Sequence, residues 1–358
     1  MKNSSEQAST QSLPVIALTM GDVAGIGPEV IARVVTLPDV LDCCQPLVVG
    51  HPEILARAFT LIKSETNIQE LSTQSLSRLR ESAETAFNRS TVLCWNPSGD
   101  DVLDVTPGKI DARAGRAAHD YLLAAAEAAL KGDIDAITTA PLNKAALNLA
   151  GIDVPGHTEI LARVCKVDSF AMMLYLPPGE FVRGDNGLAI AHVTLHTSIA
   201  SVPRLLTTAG VQEKIHLVND FLKKIGCSEP RIGVCALNPH AGEEGLFGDE
   251  ESQKIEPAIR STCELGVQAS GPFPADTLIR RAMHGEFDGL VAMYHDQGHI
   301  PFKLVGFDRA MNITLGLPIV RTSPTHGTAF DIAWTGQTDC QGMQEAIRIA
   351  ARLSKVVE

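Results

Sequence analysis

Short apolar runs that stop abruptly on polar residues recur along the whole chain, and they constrain its fold more than any other feature. Residues 14–20, 46–50, 134–139, 170–176, 188–195, 231–237, 289–293 and 311–315 each read as a buried strand. Runs of this length and apolarity suit strands covered on both faces. Segments of helical spacing separate several of them. In residues 114–130, for example, Ala118, Leu122, Ala125 and Ala129 fall on one helical face. Strands alternating with helices predict an α/β fold with a largely parallel sheet. Ligands of such sheets bind beyond the carboxyl ends of the strands, so the ends of the runs are where chemistry is to be sought.

The clearest such end is Ala292-Met293-Tyr294-His295-Asp296-Gln297-Gly298-His299-Ile300-Pro301-Phe302-Lys303. It reads as a strand end followed by a polar loop, with Gly298 allowing a sharp turn. His295 can bind a metal or move a proton, and Asp296 can orient an imidazole or bind a cation. His192 follows the run 188–191, and His240 lies in Leu237-Asn238-Pro239-His240-Ala241-Gly242-Glu243. Three histidines from three strand ends would furnish an open metal site. They also read as three unrelated loop or core histidines. Spacing alone, which lacks H-E-x-x-H, leans that way. His51, His119, His216 and His284 read as surface histidines.

A second group is basic and polar: Lys144, Lys303, Asn312 and Arg321-Thr322-Ser323. Lys303 and Arg321 sit beside apolar runs and close to turns, where a cation can hold phosphate or carboxylate. A solvated surface charge is the plainer reading of a lone lysine. Gly156-His157-Thr158-Glu159 reads as a helix start whose N–H groups can take an anion, or as a simple cap. His326-Gly327-Thr328-Ala329-Phe330-Asp331 reads as a turn leading into a helix. Gly21, Gly25 and Gly27 form G-x-x-x-G-x-G, which is neither the Rossmann fingerprint nor a Walker A sequence. Pro28 and Glu29 suit the first turn of a helix.

The 358 residues suffice for about two domains. A net charge of -12 and a pI near 5.4 exclude a general nucleic-acid or membrane-surface binder, but not a small anionic ligand. Eight cysteines without a C-x-x-C pair suit free thiols in a reducing compartment. With no apolar signal-like run at the N-terminus and none long enough to span a bilayer, a cytoplasmic protein is expected. Residues 1–13 read as a disordered tail, 60–90 as a variable surface region and 177–187 as a long loop.

Seven ordered blocks resemble the 4-hydroxythreonine-4-phosphate dehydrogenases of vitamin B6 synthesis: 21–29, 138–144 with 156–159, 237–243, 271–277, 294–303, 312–321 and 326–331. The resemblance runs from about residue 14 to residue 336. It implies a two-domain α/β fold of the isocitrate/isopropylmalate dehydrogenase type with a central cleft. Residues 14–150 with 300–358 would form the first, dinucleotide-side domain. Residues 151–299 would form the second, carrying metal ligands and the dimer interface. The implied activity is NAD-dependent oxidation and decarboxylation, with NADP as the alternative cofactor and one divalent ion per site (Zn, Mg, Mn or Co).

The resemblance assigns His192, His240 and His295 to the metal, and His157, Thr158, Lys303, Asn312 and Arg321 to the small phosphorylated substrate. It places the dinucleotide near Thr322, Ser323, His326, Gly327 and Asp331. Asp296 and Lys144 are candidates for the general base. It also implies a homodimer with the site at the interface, His295 reaching the metal from the neighbouring subunit. Departures from the family pattern are Val23, His192-Val193-Thr194-Leu195-His196, Ser323-Pro324-Thr325 and Trp334. Alternative readings are a dehydrogenase of threonate or erythronate 4-phosphate, and a catalytically silent metal- or nucleotide-binding protein.

Overall fold

Every apolar run singled out in the sequence becomes a strand. The structure, a computed structural model, describes residues 13–77, 79, 89–154, 156–168, 170–306 and 308–355. The expected tail, apart from Leu13, and part of the 60–90 region lie outside these residues. Among them twelve strands form one sheet: β1 (Val15–Thr19), β2 (Gln45–Val49), β3 (Asn67–Leu71), β4 (Thr91–Trp95), β5 (Ala136–Thr139), β6 (Ala171–Leu176), β7 (Leu188–His192), β8 (Ile232–Cys235), β9 (Ala269–Phe273), β10 (Gly289–Ala292), β11 (Met311–Leu315) and β12 (Val320–Pro324). Their order is β3-β4-β2-β1-β5-β12-β11-β6-β7-β10-β8-β9.

The α/β class and the largely parallel sheet are as expected, with an exception at the centre of the sheet. In the middle, β12-β11-β6-β7 pair antiparallel. For β11 and β12 the reason is connection length. Only four residues, 316–319, join β11 to β12, and a connection that short can make only a hairpin. Three successive reversals leave β7, β10 and β8 running opposite to β1, β5 and β12. β3, β4, β9 and β12 escaped sequence detection. β3 is polar and largely exposed, and β9 contains Gly271-Pro272.

One buried apolar cluster surrounds β1, β2, β4 and β5, and two more lie around β6–β8, β10 and β11. The last helix, Gln341–Ser354, packs on β12. It gives Met343 and Ile347 to the first cluster and Ala346 and Ile349 to the second. The helix Ala112–Lys131 buries its alanine face and is capped by the Asp111 carboxylate, which accepts from Arg113 N. A Cβ on Gly115 would stand 2.3 Å from the Ala146 backbone, so the helix Lys144–Leu149 lies directly against it. The helix His157–Cys165 packs on the same support. Thus one alanine-rich surface positions the segments bearing Lys144, His157 and Thr158.

Two polar residues are more deeply placed than the sequence suggested. His51 is a buried cap, not a surface histidine: its Nδ1 accepts from Glu53 N at 3.2 Å, and its Nε2 lies 3.0 Å from Asp100 Oδ1. Glu29 sits in the first turn of the helix Gly27–Val34, yet it is fully buried. Its two carboxylate oxygens accept from Trp334 N and Gly336 N, each at 2.7 Å. This carboxylate fastens the chain beyond β12 to the first helix. Replacing it leaves two partly buried N–H groups without their acceptor, at a cost of about 1–3 kcal/mol. Glu29→Ala is expected to lose that much stability in urea unfolding, and Glu29→Gln less; an unchanged midpoint in Glu29→Ala would refute the clamp.

Candidate active site

One row of side chains across the antiparallel strands builds the site. Residues directly opposed on neighbouring strands share a face, and faces alternate along each strand. Arg321 of β12 opposes Thr314 of β11, and Thr314 opposes Met172 of β6. Met173 opposes Ala191, so the next step of that register sets Met172 beside His192 at the end of β7. Asn312 and Ser323, opposed to each other, lie two residues along on the same face. Arg321, Asn312, Ser323, Met172 and His192 line two adjoining cavities of about 250 and 170 Å³, which share Thr158, Glu159, Met172 and His196. Lys144, His157, His326 and Gly327 join the larger one.

The larger cavity is prepared for an anion. Arg321 is buried; its Nη2 donates to Thr139 Oγ1 at 2.7 Å and its Nη1 to Thr314 Oγ1 at 3.2 Å. Its Nε has no partner among the described residues. Burial lowers the guanidinium pKa to about 10, so the cation persists at neutral pH. His157 is held well below the ordinary imidazole range by burial and by Arg321, and is therefore neutral. Its Nε2 lies 3.2 Å from Ala140 O and donates there, which leaves Nδ1 as an acceptor. His326 Nε2 is also buried without a partner among the described residues. The start of the helix His157–Cys165 adds N–H groups that no helix satisfies internally.

The smaller cavity ends on a group of imidazoles. His192 is buried, with Nε2 3.2 Å from His299 Nδ1 and Nδ1 unpartnered among the described residues. Burial, reinforced by His299 and His295, lowers its pKa to about 3. His299 is lowered to about 4 by burial, then by His295 and Lys303. It stacks on His295 with ring centroids 3.8 Å apart, and His295 Nδ1 lies 2.7 Å from Asp296 Oδ1. The segment after β10 is therefore not a loop. His295–Gly306 is a helix, and the four-residue spacing puts His295 and His299 on one face. Gly298 serves close approach, not a turn: a Cβ there would stand 2.3 Å from His192 Nε2.

Other candidates lie elsewhere. His240 is exposed in the turn Pro239–Gly245, where residues 240–244 all have φ between 45° and 78°. A left-handed run costs non-glycine residues about 1–2 kcal/mol each. Among the described residues of the single chain, no three His, Cys, Asp or Glu side chains are gathered to hold a metal. The donor chemistry nevertheless fits one, since His192 is a neutral imidazole with a buried, unpartnered nitrogen. Lys303 lines a separate hollow of about 310 Å³ with Glu180 and Arg309. Asp296 is exposed and lines neither cavity.

Thr322 falls on the opposite face of β12 from Arg321. It is fully buried, its hydroxyl donating to Ala346 O at 2.9 Å and meeting Thr138 Oγ1 at 2.9 Å, so it belongs to the core and not to a dinucleotide surface. Asp331 is exposed outside the cavities, and residues 326–331 form a turn that leads into no helix. His196, His299, Thr139 and Glu159 are site residues that the sequence reading missed. For His299 the signal was its four-residue spacing from His295.

A sequence model of the family described as pyridoxal phosphate biosynthetic protein PdxA matches residues 42–350. The chain belongs to the PdxA family. It is 42% identical over 347 residues to a D-threonate 4-phosphate dehydrogenase of Cupriavidus necator, covering 96% of this chain and 98% of that one. It is 40% identical over 343 residues to a 4-hydroxythreonine-4-phosphate dehydrogenase of Geobacter metallireducens, covering 96% of each. A crystal structure of a 4-hydroxythreonine-4-phosphate dehydrogenase from Burkholderia phymatum superposes with a TM-score of 0.78 at 43% identity, over 96% of this chain and 99% of that one. PdxA-family membership thus bears out the resemblance carried by the seven blocks. The strands and helices of the described residues bear out the expected α/β class.

Gly298 is the sharpest local test of this PdxA-family site. Helix propensity alone favours alanine over glycine by about 1 kcal/mol. The clash with buried His192 opposes it, and overpacking costs about 1–3 kcal/mol. Gly298→Ala is therefore expected to unfold at lower denaturant than wild type; a stabilised variant would show that the contact with His192 is not tight.

Proposed function

We propose that this chain is an NAD-dependent, metal-assisted enzyme that oxidises 4-hydroxythreonine 4-phosphate at C3 and releases CO2, giving 3-amino-2-oxopropyl phosphate for pyridoxal phosphate synthesis. One observation carries the reading: Lys144, His157, Thr158, Asn312 and Arg321, from separated segments, converge on one cleft that continues to His192. When bound, a divalent ion on His192, His240 and His295 supplies a Lewis acid, and a nicotinamide dinucleotide near Ser323, His326 and Gly327 supplies the hydride acceptor. Arg321, fixed by Thr139 and Thr314, presents its remaining N–H to a carboxylate or phosphate. Lys144 and the start of the helix His157–Cys165 neutralise the second anionic group. Lys144 is also the cleft residue placed to hold or move a proton. Asp296, bonded to His295, orients that imidazole.

The working unit in this reading is a homodimer. Ile300 and Leu304, on the helix of His295, are 54% and 82% exposed, and Leu246 and Phe247, just after His240, are 71% and 48% exposed. A second copy would cover these apolar side chains and bring its His295 and Lys303 to the first copy's cleft. The division into 14–150 with 300–358 and 151–299 belongs to the same proposal. Its support is the separate apolar clusters, although Phe302, Ala310, Met311 and Ile313 pack with the second group. A cytoplasmic setting agrees with eight free cysteines, and no helix among the described residues is long and apolar enough to cross a membrane.

A second reading, a C2-hydroxy substrate such as threonate or erythronate 4-phosphate, also has an observation in its favour. The two cavities are lined by Lys144, Lys214 and Arg321 against one carboxylate, Glu159, which offers little to a substrate ammonium. NADH formation on 4-hydroxythreonine, threonate and erythronate 4-phosphates, each with Zn²⁺, Mg²⁺, Mn²⁺ or Co²⁺, decides between them. The main reading expects the first substrate to show the highest kcat/KM, by tenfold or more. A lead for either hydroxy acid moves the assignment to the second reading. Dinucleotide binding without NADH from any of the three contradicts both.

A further inference from the structure

The turn that carries His240 holds a backbone conformation that proteins otherwise avoid. His240, Ala241, Glu243 and Glu244 are left-handed without being glycine. Such a run persists only where its surroundings over-determine it. The fixing group is the carboxylate of Glu251, which is buried and 4% exposed. Its Oε1 accepts from Leu237 N and Asn238 N, each at 2.8 Å, and its Oε2 accepts from Asn238 Nδ2 at 2.9 Å. These contacts hold the chain as it enters the turn. On the far side of His240 the same carboxylate abuts Gly242, where a Cβ would stand 2.8 Å from Oε2. Glu251 itself opens a π-turn, Glu251–Ile255, that is anchored by buried Ile255 and followed by a helix with buried Ala258 and Ile259. Interruptions of this kind are common where a helix serves a functional site.

We infer that Glu251 is a positioning residue: it presets the His240 imidazole for a divalent ion without touching the ion. The inference rests on the reading of His240 as a ligand. A carboxylate that bonds the chain before an exposed histidine and lies against Gly242 after it restricts the freedom the turn would otherwise have to spend on binding. Groups that orient ligands in this way typically change metal affinity by about 10- to 100-fold when removed.

The test is a double-mutant cycle on the full-length protein, read as Zn²⁺ affinity by competition with a chromogenic chelator. His240→Ala, Glu251→Ala and their combination are compared with wild type. Glu251→Ala is expected to weaken Zn²⁺ binding by about 10- to 100-fold. The double variant should bind no more weakly than His240→Ala alone, because the carboxylate acts only through His240. Glu251→Gln keeps an acceptor for the two amides but turns a donor toward Asn238, so it should fall between. It replaces Glu251→Ala in the cycle if the alanine variant does not fold. Wild-type affinity in the Glu251 variants beside a weakened His240→Ala overturns the inference, as do losses that add in the double variant. Wild-type affinity in His240→Ala overturns the ligand reading itself, a separate and recognisable result.

Discussion

The site depends on the register of four antiparallel strands, β12-β11-β6-β7. That register puts Arg321, Asn312, Ser323, Met172 and His192 on one face, although Met172 and Ser323 lie far apart in sequence. A slip of one residue would turn every one of them to the other face. The register is well defended. On the opposite face Ile313, Met311 and Met173 enter the core, and Thr322 is tied to the last helix through Ala346 O. The side chains that read the ligand are thus held by the side chains that do not. The same junction joins the two groups of apolar clusters, so the part of the sheet that makes the site also makes the molecule continuous.

The first tier around the site is held by polar groups with few alternatives. Arg321 is clamped by two threonine hydroxyls, one from β5 and one from β11. His192 is hemmed in by Gly298, where even a methyl group would collide with the imidazole. Glu29 draws the chain beyond β12 back onto the first helix, which brings residues 326–336 beside the cleft. The Arg321 contacts are buried, and costly to break because the partner left behind is out of water.

Much of this was legible in the sequence. The short apolar runs marked the strands, their polar ends marked His192 and Lys144, and Gly156-His157-Thr158 marked the helix start that faces the cleft. What was not legible depended on contacts distant in sequence. Arg321 and Thr322 are neighbours of similar promise, and only the alternation of a strand whose pairing was unseen sends one to the cleft and the other to the core. His299 looked like a loop residue because Gly298 read as a sharp turn; packing against β6, β7 and β10 instead makes the segment a helix. His51 looked exposed because its partner, Asp100, is far away in sequence.

In the single chain His299 touches both His192 and His295, while His240 lines neither cavity. In the proposed homodimer a second copy completes the site, with its His295 supplied across the interface. Subunit mixing tests this most directly. His192→Ala and His295→Ala proteins, each inactive alone, are unfolded and refolded together. In a two-fold symmetric dimer with shared sites, random pairing leaves about a quarter of the sites with every native residue, and about a quarter of wild-type activity should return. No recovery, with hybrid dimers demonstrably formed, would show that each chain builds its site alone.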